Sequence, residues 1–184
     1  MGAVQTQPVA VSTWQIDPKH STAEFAVRHM MVTTVKGHIS GVEGTVTLNE
    51  ADPARSSVEA RLDAATIDTR EPQRDAHLRS PDFLDAEQYP EITFQSTRIE
   101  PAGDRVRIAG DLTLRGVTRE VVLDAAPEGR QRDPWGNERA GFSAQTVIDR
   151  RDFGLTWNQA LEAGAVLVGN DVRITIELEA VRQA

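Results

Sequence analysis

Val106-Arg107-Ile108-Ala109-Gly110-Asp111-Leu112-Thr113-Leu114 reads as a strand with two different faces. Val106, Ile108, Gly110, Leu112 and Leu114 fall on one side, and mostly polar residues fall on the other, which is the period of a half-buried β-strand. Arg115-Gly116 is a tight-turn signal, and Val117 to Ala125 follows it, so the two runs, 104–114 and 117–125, form a hairpin.

The same rhythm recurs outward in both directions. Toward the N-terminus, Phe25, Val27, His29 and Met31 share one face of 24–31, and Val42, Gly44, Val46 and Leu48 share one face of 41–49. Val58, Ala60 and Leu62 alternate in 57–63, and Ile92, Phe94 and Ser96 in 91–99. Toward the C-terminus, 141–149 presents Phe142, Ala144, Thr146 and Ile148, and 171–179 presents Val172, Ile174, Ile176 and Leu178. Eight antiparallel strands make the chain all-β.

Two stretches depart from alternation. Thr69 to Leu78 offers a Thr cap and Pro72 in the first turn, so a short helix is expected between the third and fourth strands, ending at Ser80-Pro81. Asn158 to Gly169 reads as a loop with at most one helical turn. Residues 12–184 are expected to form one domain after a flexible segment, 1–11, because 184 residues suit a single core.

Strands of this number close as a barrel or stack as a sandwich. The long runs at 36–49 and 104–114, with Gly37, Gly41, Gly44 and Gly110 placed where a coiled sheet bends, favour the barrel. At about 3.3 Å per residue and a tilt near 40°, its bore is roughly 25 Å tall. Small inward residues, Gly44, Ala60, Gly110 and Ala144, are expected to leave space beside the aromatics.

Composition excludes several functions. The net charge of −8 argues against general nucleic-acid binding. Arg70, Arg74, Arg79, Arg150 and Arg151, interleaved with acids, read as solvated, ion-paired faces. With no cysteine, disulfides, thiolate metal sites and cysteine nucleophiles fall away. No apolar tract is long enough for a spanning helix. No signal peptide is visible at 1–8, so the cytoplasm is the default expectation, with the periplasm or secretion if a leader has been lost.

Catalytic signals are thin. Gly37-His38-Ile39-Ser40-Gly41 places its serine one position too late for a nucleophile elbow. His20, His29, His38 and His77 show no metal-ligand pairing, and no phosphate loop or dinucleotide fingerprint is present. No catalytic residue, metal or cofactor is therefore expected. His29 points inward with Phe25 and Val27, as a core histidine or as a contact to a ligand's polar head. Asp75 and His77 are expected to plug one barrel end.

Several of these stretches together resemble the YceI-like family of polyisoprenoid-binding, lipocalin-like barrels. They are Trp14-Gln15-Ile16-Asp17-Pro18-Lys19-His20-Ser21 with Val27-Arg28-His29, and Arg74-Asp75-x-His77-Leu78 with Asp82-Phe83-Leu84-Asp85. Tyr89-Pro90-x-Ile92-Thr93-Phe94, Gly110-Asp111-Leu112-Thr113-Leu114-Arg115-Gly116-Val117-Thr118 and Arg150-x-Asp152-Phe153-Gly154-Leu155 complete the set. The resemblance runs from Trp14 to about Val181. It implies a non-enzymatic barrel that stores or transports a polyisoprenoid or isoprenoid quinone, as a homodimer and with transient membrane contact for lipid exchange. The expected ligand-binding residues are Phe25, Val27, His29, Phe94, Ile108, Leu112, Phe142, Phe153, Leu155 and Trp157. The competing readings are a lipid-modifying enzyme using the inward histidine, and a stress or interaction barrel packed solid.

Overall fold

In the computed structural model, which describes residues 10–184, a continuous sheet curls until its ends meet. Its strands are β1 (Val11–Ile16), β2 (Thr22–His29), β3 (Thr33–Ser40), β4 (Glu43–Asn49) and β5 (Ser57–Asp63). After helix α1 (Pro72–Arg79) come β6 (Glu91–Ala102), β7 (Arg105–Leu114), β8 (Val117–Arg132), β9 (Glu138–Asp149) and β10 (Val168–Arg182). The order β1-β4-β5-β6-β7-β8-β9-β10 returns to β1, giving the expected closed eight-stranded antiparallel ring. Closure pairs both edges of these eight strands, and the edge of β3 away from β2 meets the isolated His38–Asp68 bridge.

The β2–β3 hairpin does not add two staves. β10 pairs with β2 from Val168 to Glu177 and then with β1 from Ala180 to Arg182, so β1 and β2 are one long strand broken at residues 17–21. β3 and β4 are likewise one strand broken at Gly41, whose φ of +70° ends the ladder.

Local chemistry accounts for where these elements differ from expectation. Ser12, Trp14 and Ile16 of β1 are buried while Val11, Thr13 and Gln15 are exposed. The inward serine hid this alternation, and it is satisfied because Trp14 Nε1–H donates to Ser12 Oγ at 2.8 Å. Met31, read as an inward strand residue, lies in the β2–β3 turn and is 63% exposed. β8 runs seven residues past Ala125 because Pro127 sits at a register shift, where its missing N–H breaks no ladder bond.

Helix α1 starts two residues later than expected, capped at residue 71 rather than at Thr69. Its cap is Glu71, whose carboxylate accepts from the Gln73 and Arg74 backbone N–H groups. Thr69 instead donates its backbone N–H (2.8 Å) and its hydroxyl (2.5 Å) to Asp75, and receives the Arg74 Nε–H at 2.7 Å. That network fixes α1 across one barrel end. The Arg115-Gly116 hairpin is as expected, with both turn residues at positive φ and Leu114 paired to Val117.

Two packed regions lie at the ends of the bore. Phe83, Leu84, Phe153, Leu155 and Ile67 pack at the helix end. Trp14, Ile16, Val42, Val46, Ala140 and Ala180 pack at the opposite end, with the Arg130 guanidinium 5.2 Å from the Trp14 ring centroid.

Candidate functional site: the barrel cavity

Between these packed regions lies a cavity of about 930 Å³, near the upper end of the range for small-molecule sites. The strand alternation lines it. Val172, Ile174, Ile176 and Leu178 of β10, Phe142, Ala144, Thr146 and Ile148 of β9, and Val58, Ala60 and Leu62 of β5 all face it. Most of these side chains are only half-buried although they point into the barrel. Their exposed sides face open space inside the bore rather than neighbouring atoms, where a solid core would make contact all round.

Nine of the ten residues singled out from the sequence line this space: Phe25, Val27, His29, Phe94, Ile108, Leu112, Phe142, Leu155 and Trp157. Phe153 does not. It is 1% exposed within the packed helix end, where the short turn Arg150–Phe153 drives it under the loop. Strand periodicity missed His77, Leu78, Phe83 and Leu167, which come from α1 and irregular segments, and Val168, because β10 starts three residues before the expected strand at 171–179.

Two small residues do not open the bore as expected. The Phe94 ring fills the space beside Gly110, and the Glu59–Ala60 backbone crowds Gly44. A glycine facing inward makes a cavity only if nothing moves into its place. Ala60 and Ala144 do border open space.

Polar groups gather at the helix end. His77 Nε2–H donates to Asp82 Oδ2 at 2.9 Å, while its ring meets Phe83 and Trp157 edge-on with centroids 5.0 and 4.6 Å away. His77 therefore fastens the helix to the loop while facing the cavity, and buried Asp75 serves Thr69 as described. His29 borders the cavity from the end of β2.

The loop that closes this end hangs on one cation. Arg150, expected on a solvated face, is 3% exposed and donates to the carbonyls of Leu155 (2.7 Å), Trp157 (2.9 Å), Gly169 (2.8 Å) and Val168 (3.4 Å). Burial lowers its pKa from the usual value, yet four carbonyl dipoles solvate the charge. Arg151 pairs with Asp149 as a surface arginine should, and holds that carboxyl at about 2. Consecutive arginines have opposite fates because the four-residue turn Arg150–Phe153 points them to opposite sides.

At the barrel's opposite end Asp17, His20 and Glu179 stand close enough to ligate a metal. A guanidinium already serves two of them: Arg139 Nη1 donates to Asp17 Oδ2 at 2.9 Å and Glu179 Oε1 at 2.6 Å, and Nε to Asp133 Oδ2 at 2.8 Å. Burial pushes the Asp17 carboxyl up, but hydrogen bonds from His20 and Arg139 outweigh it and hold it at about 2.

The YceI-like domain matches residues 14–180. Protein YceI of Escherichia coli O157:H7 is 40% identical over 137 residues, covering 74% of this chain and 72% of that relative. The crystal structure of a Campylobacter jejuni YceI protein superposes with a TM-score of 0.71 at 28% identity, over 85% of this chain and 90% of the other. A polyisoprenoid binding domain from Saccharophagus degradans shares the fold at 13% identity, with a TM-score of 0.64 over 92% of this chain and 98% of the other. This chain belongs to the YceI family.

Proposed function

We propose that the barrel binds a long apolar chain, a polyisoprenoid or the tail of an isoprenoid quinone, and holds or carries it without chemical change. The observation that carries this reading is the half-buried inner face of β5, β7, β9 and β10, apolar side chains bordering a cavity of about 930 Å³. Water in an apolar bore gains few hydrogen bonds, so an apolar guest is favoured by roughly 25 cal/mol per Å² of surface removed from water. The cavity is elongated: β10 borders it from Val168 to Leu178, roughly 25 Å along the barrel axis at ordinary strand rise and tilt. The Saccharophagus degradans domain of the same fold supports a prenyl chain as the guest.

A reading in which the barrel is packed solid has no support in a bore of this volume. Native mass spectrometry of freshly purified protein, with lipid identification after denaturation, tests the proposal. Co-purified prenyl lipid is expected, as is a melting temperature that rises with added prenyl chain. Absence of both overturns it, and turnover of the bound lipid that is lost in His29→Ala overturns the non-enzymatic part.

A further inference from the structure

The β2–β3 hairpin tip is built against the usual rules for such turns. The Val32 N–H donates to the His29 carbonyl at 3.0 Å, closing a turn whose central residues, Met30 and Met31, have φ of +51° and +60°. Asn and Gly are the residues that adopt this backbone readily, while a long side chain there is strained. The same three residues expose apolar surface: Met30 is 44%, Met31 63% and Val32 70% exposed. The tip therefore carries both strain and unfavourable hydration, and strain retained against local preference concentrates where a binding surface needs it.

Its position says what the surface serves. His29, immediately before the turn, borders the cavity, and the Met30 N–H donates to the Leu167 carbonyl at 2.8 Å, from the segment that closes the same end. Arg28 secures the turn by donating to the Met31 carbonyl at 3.0 Å and the Thr34 hydroxyl at 3.2 Å. Three neighbouring apolar side chains thus project from a braced hairpin at one end of the bore.

We infer that the Met30-Met31-Val32 tip docks the helix end of the barrel onto a lipid bilayer, the source or destination of the cavity's guest. The purpose of this docking rests on the reading of the cavity given above; the surface itself does not. Flexible methionines adapt to a disordered surface, and apolar side chains at a loop tip enter the headgroup–acyl boundary. A chain of net charge −8 is repelled by anionic lipid, so docking is by apolar insertion rather than by charge. Among the described residues no helix is long and apolar enough to cross a membrane.

The test is co-sedimentation of the full chain with phosphatidylcholine vesicles, comparing wild type with Met30→Asn/Met31→Gly and with Val32→Ser. Wild type is expected to bind neutral vesicles with little salt dependence. The double variant is expected to bind about tenfold or more weakly, since the apolar area is lost. Its melting temperature is expected to equal or exceed that of wild type, because Asn-Gly relieves the turn. A merely structural role for the methionines predicts the reverse pair of results. Docking is overturned if wild type ignores vesicles, if the double variant binds them equally, or if size-exclusion shows that the tip joins two copies of this chain. Binding of a prenyl alcohol delivered from ethanol, without vesicles, is expected to be unchanged in the variants. If that binding is absent in wild type while vesicle docking persists, the cavity reading fails and the docking surface stands.

Discussion

The ring of Phe94 on β6 occupies the space beside Gly110 on β7, so a glycine that looks like an opening in the barrel wall is the seat of an aromatic side chain. Phe94 in turn borders the cavity, and the pair sets its width at that level. Gly110→Ala is expected to push the ring toward the bore and destabilise the fold by about 1–3 kcal/mol in urea unfolding, the usual range for overpacking. Phe94→Leu in the same chain should recover part of that loss. A double-mutant cycle that is additive would show that the two positions are not coupled.

Arg150 donates to four carbonyls, of which that of Val168 also accepts from Asn158 Nδ2 at 2.8 Å. Arg150→Met keeps the apolar stem and removes the donors, leaving carbonyls unpaired at a cost of about 3 kcal/mol or more. The damage should be local before it is global. Hydrogen exchange is expected to quicken across residues 155–169, while β7 and β8 keep their protection until the whole barrel unfolds.

The cavity reading makes a claim about length. Ala144 borders the bore from β9, so Ala144→Phe fills open volume without displacing packed atoms and changes stability by less than about 1 kcal/mol. Long prenyl chains are then expected to bind tenfold or more weakly than in wild type, whereas short ones, which need only part of the bore, keep their affinity. Equal loss for all lengths would mean that the guest does not extend past Ala144.

The Arg139 cluster contributes a pH-dependent term whose sign follows from the lowered carboxyls. Asp17 is held at about 2 against an ordinary 3.8, and Asp133, hydrogen-bonded chiefly to Arg139, lies well below its ordinary value. A carboxyl with a depressed folded pKa adds stability that is complete above its unfolded pKa and disappears as pH falls through the folded one. Arg139→Met should therefore melt below wild type from neutral pH down to about 4, and the gap should close as pH approaches 2. A gap that is constant across this range would assign the loss to packing instead.

Much of this molecule is written in residue order. The period-2 runs at 57–63, 104–114, 141–149 and 171–179 identify strands and their inward faces, because neighbouring side chains on a pleated chain must point opposite ways whatever lies around them. Seven of the ten residues picked out as ligand-facing, Phe25, Val27, His29, Phe94, Ile108, Leu112 and Phe142, border the cavity for that reason, while Leu155 and Trp157 reach it from the irregular segment after β9. Phe153, Arg150, His77 and the glycines of the wall obeyed no such local rule. Their places depend on which distant groups reach them: the Leu155, Trp157 and Gly169 carbonyls for Arg150, Asp82 and Trp157 for His77, Phe94 for Gly110. The sequence by itself determined an all-β chain with one apolar face per strand, since that follows from backbone geometry. Closure of β10 onto β1, the packing of both ends and the volume left between them were decided by tertiary structure alone, because a cavity is a property of atoms far apart in the chain.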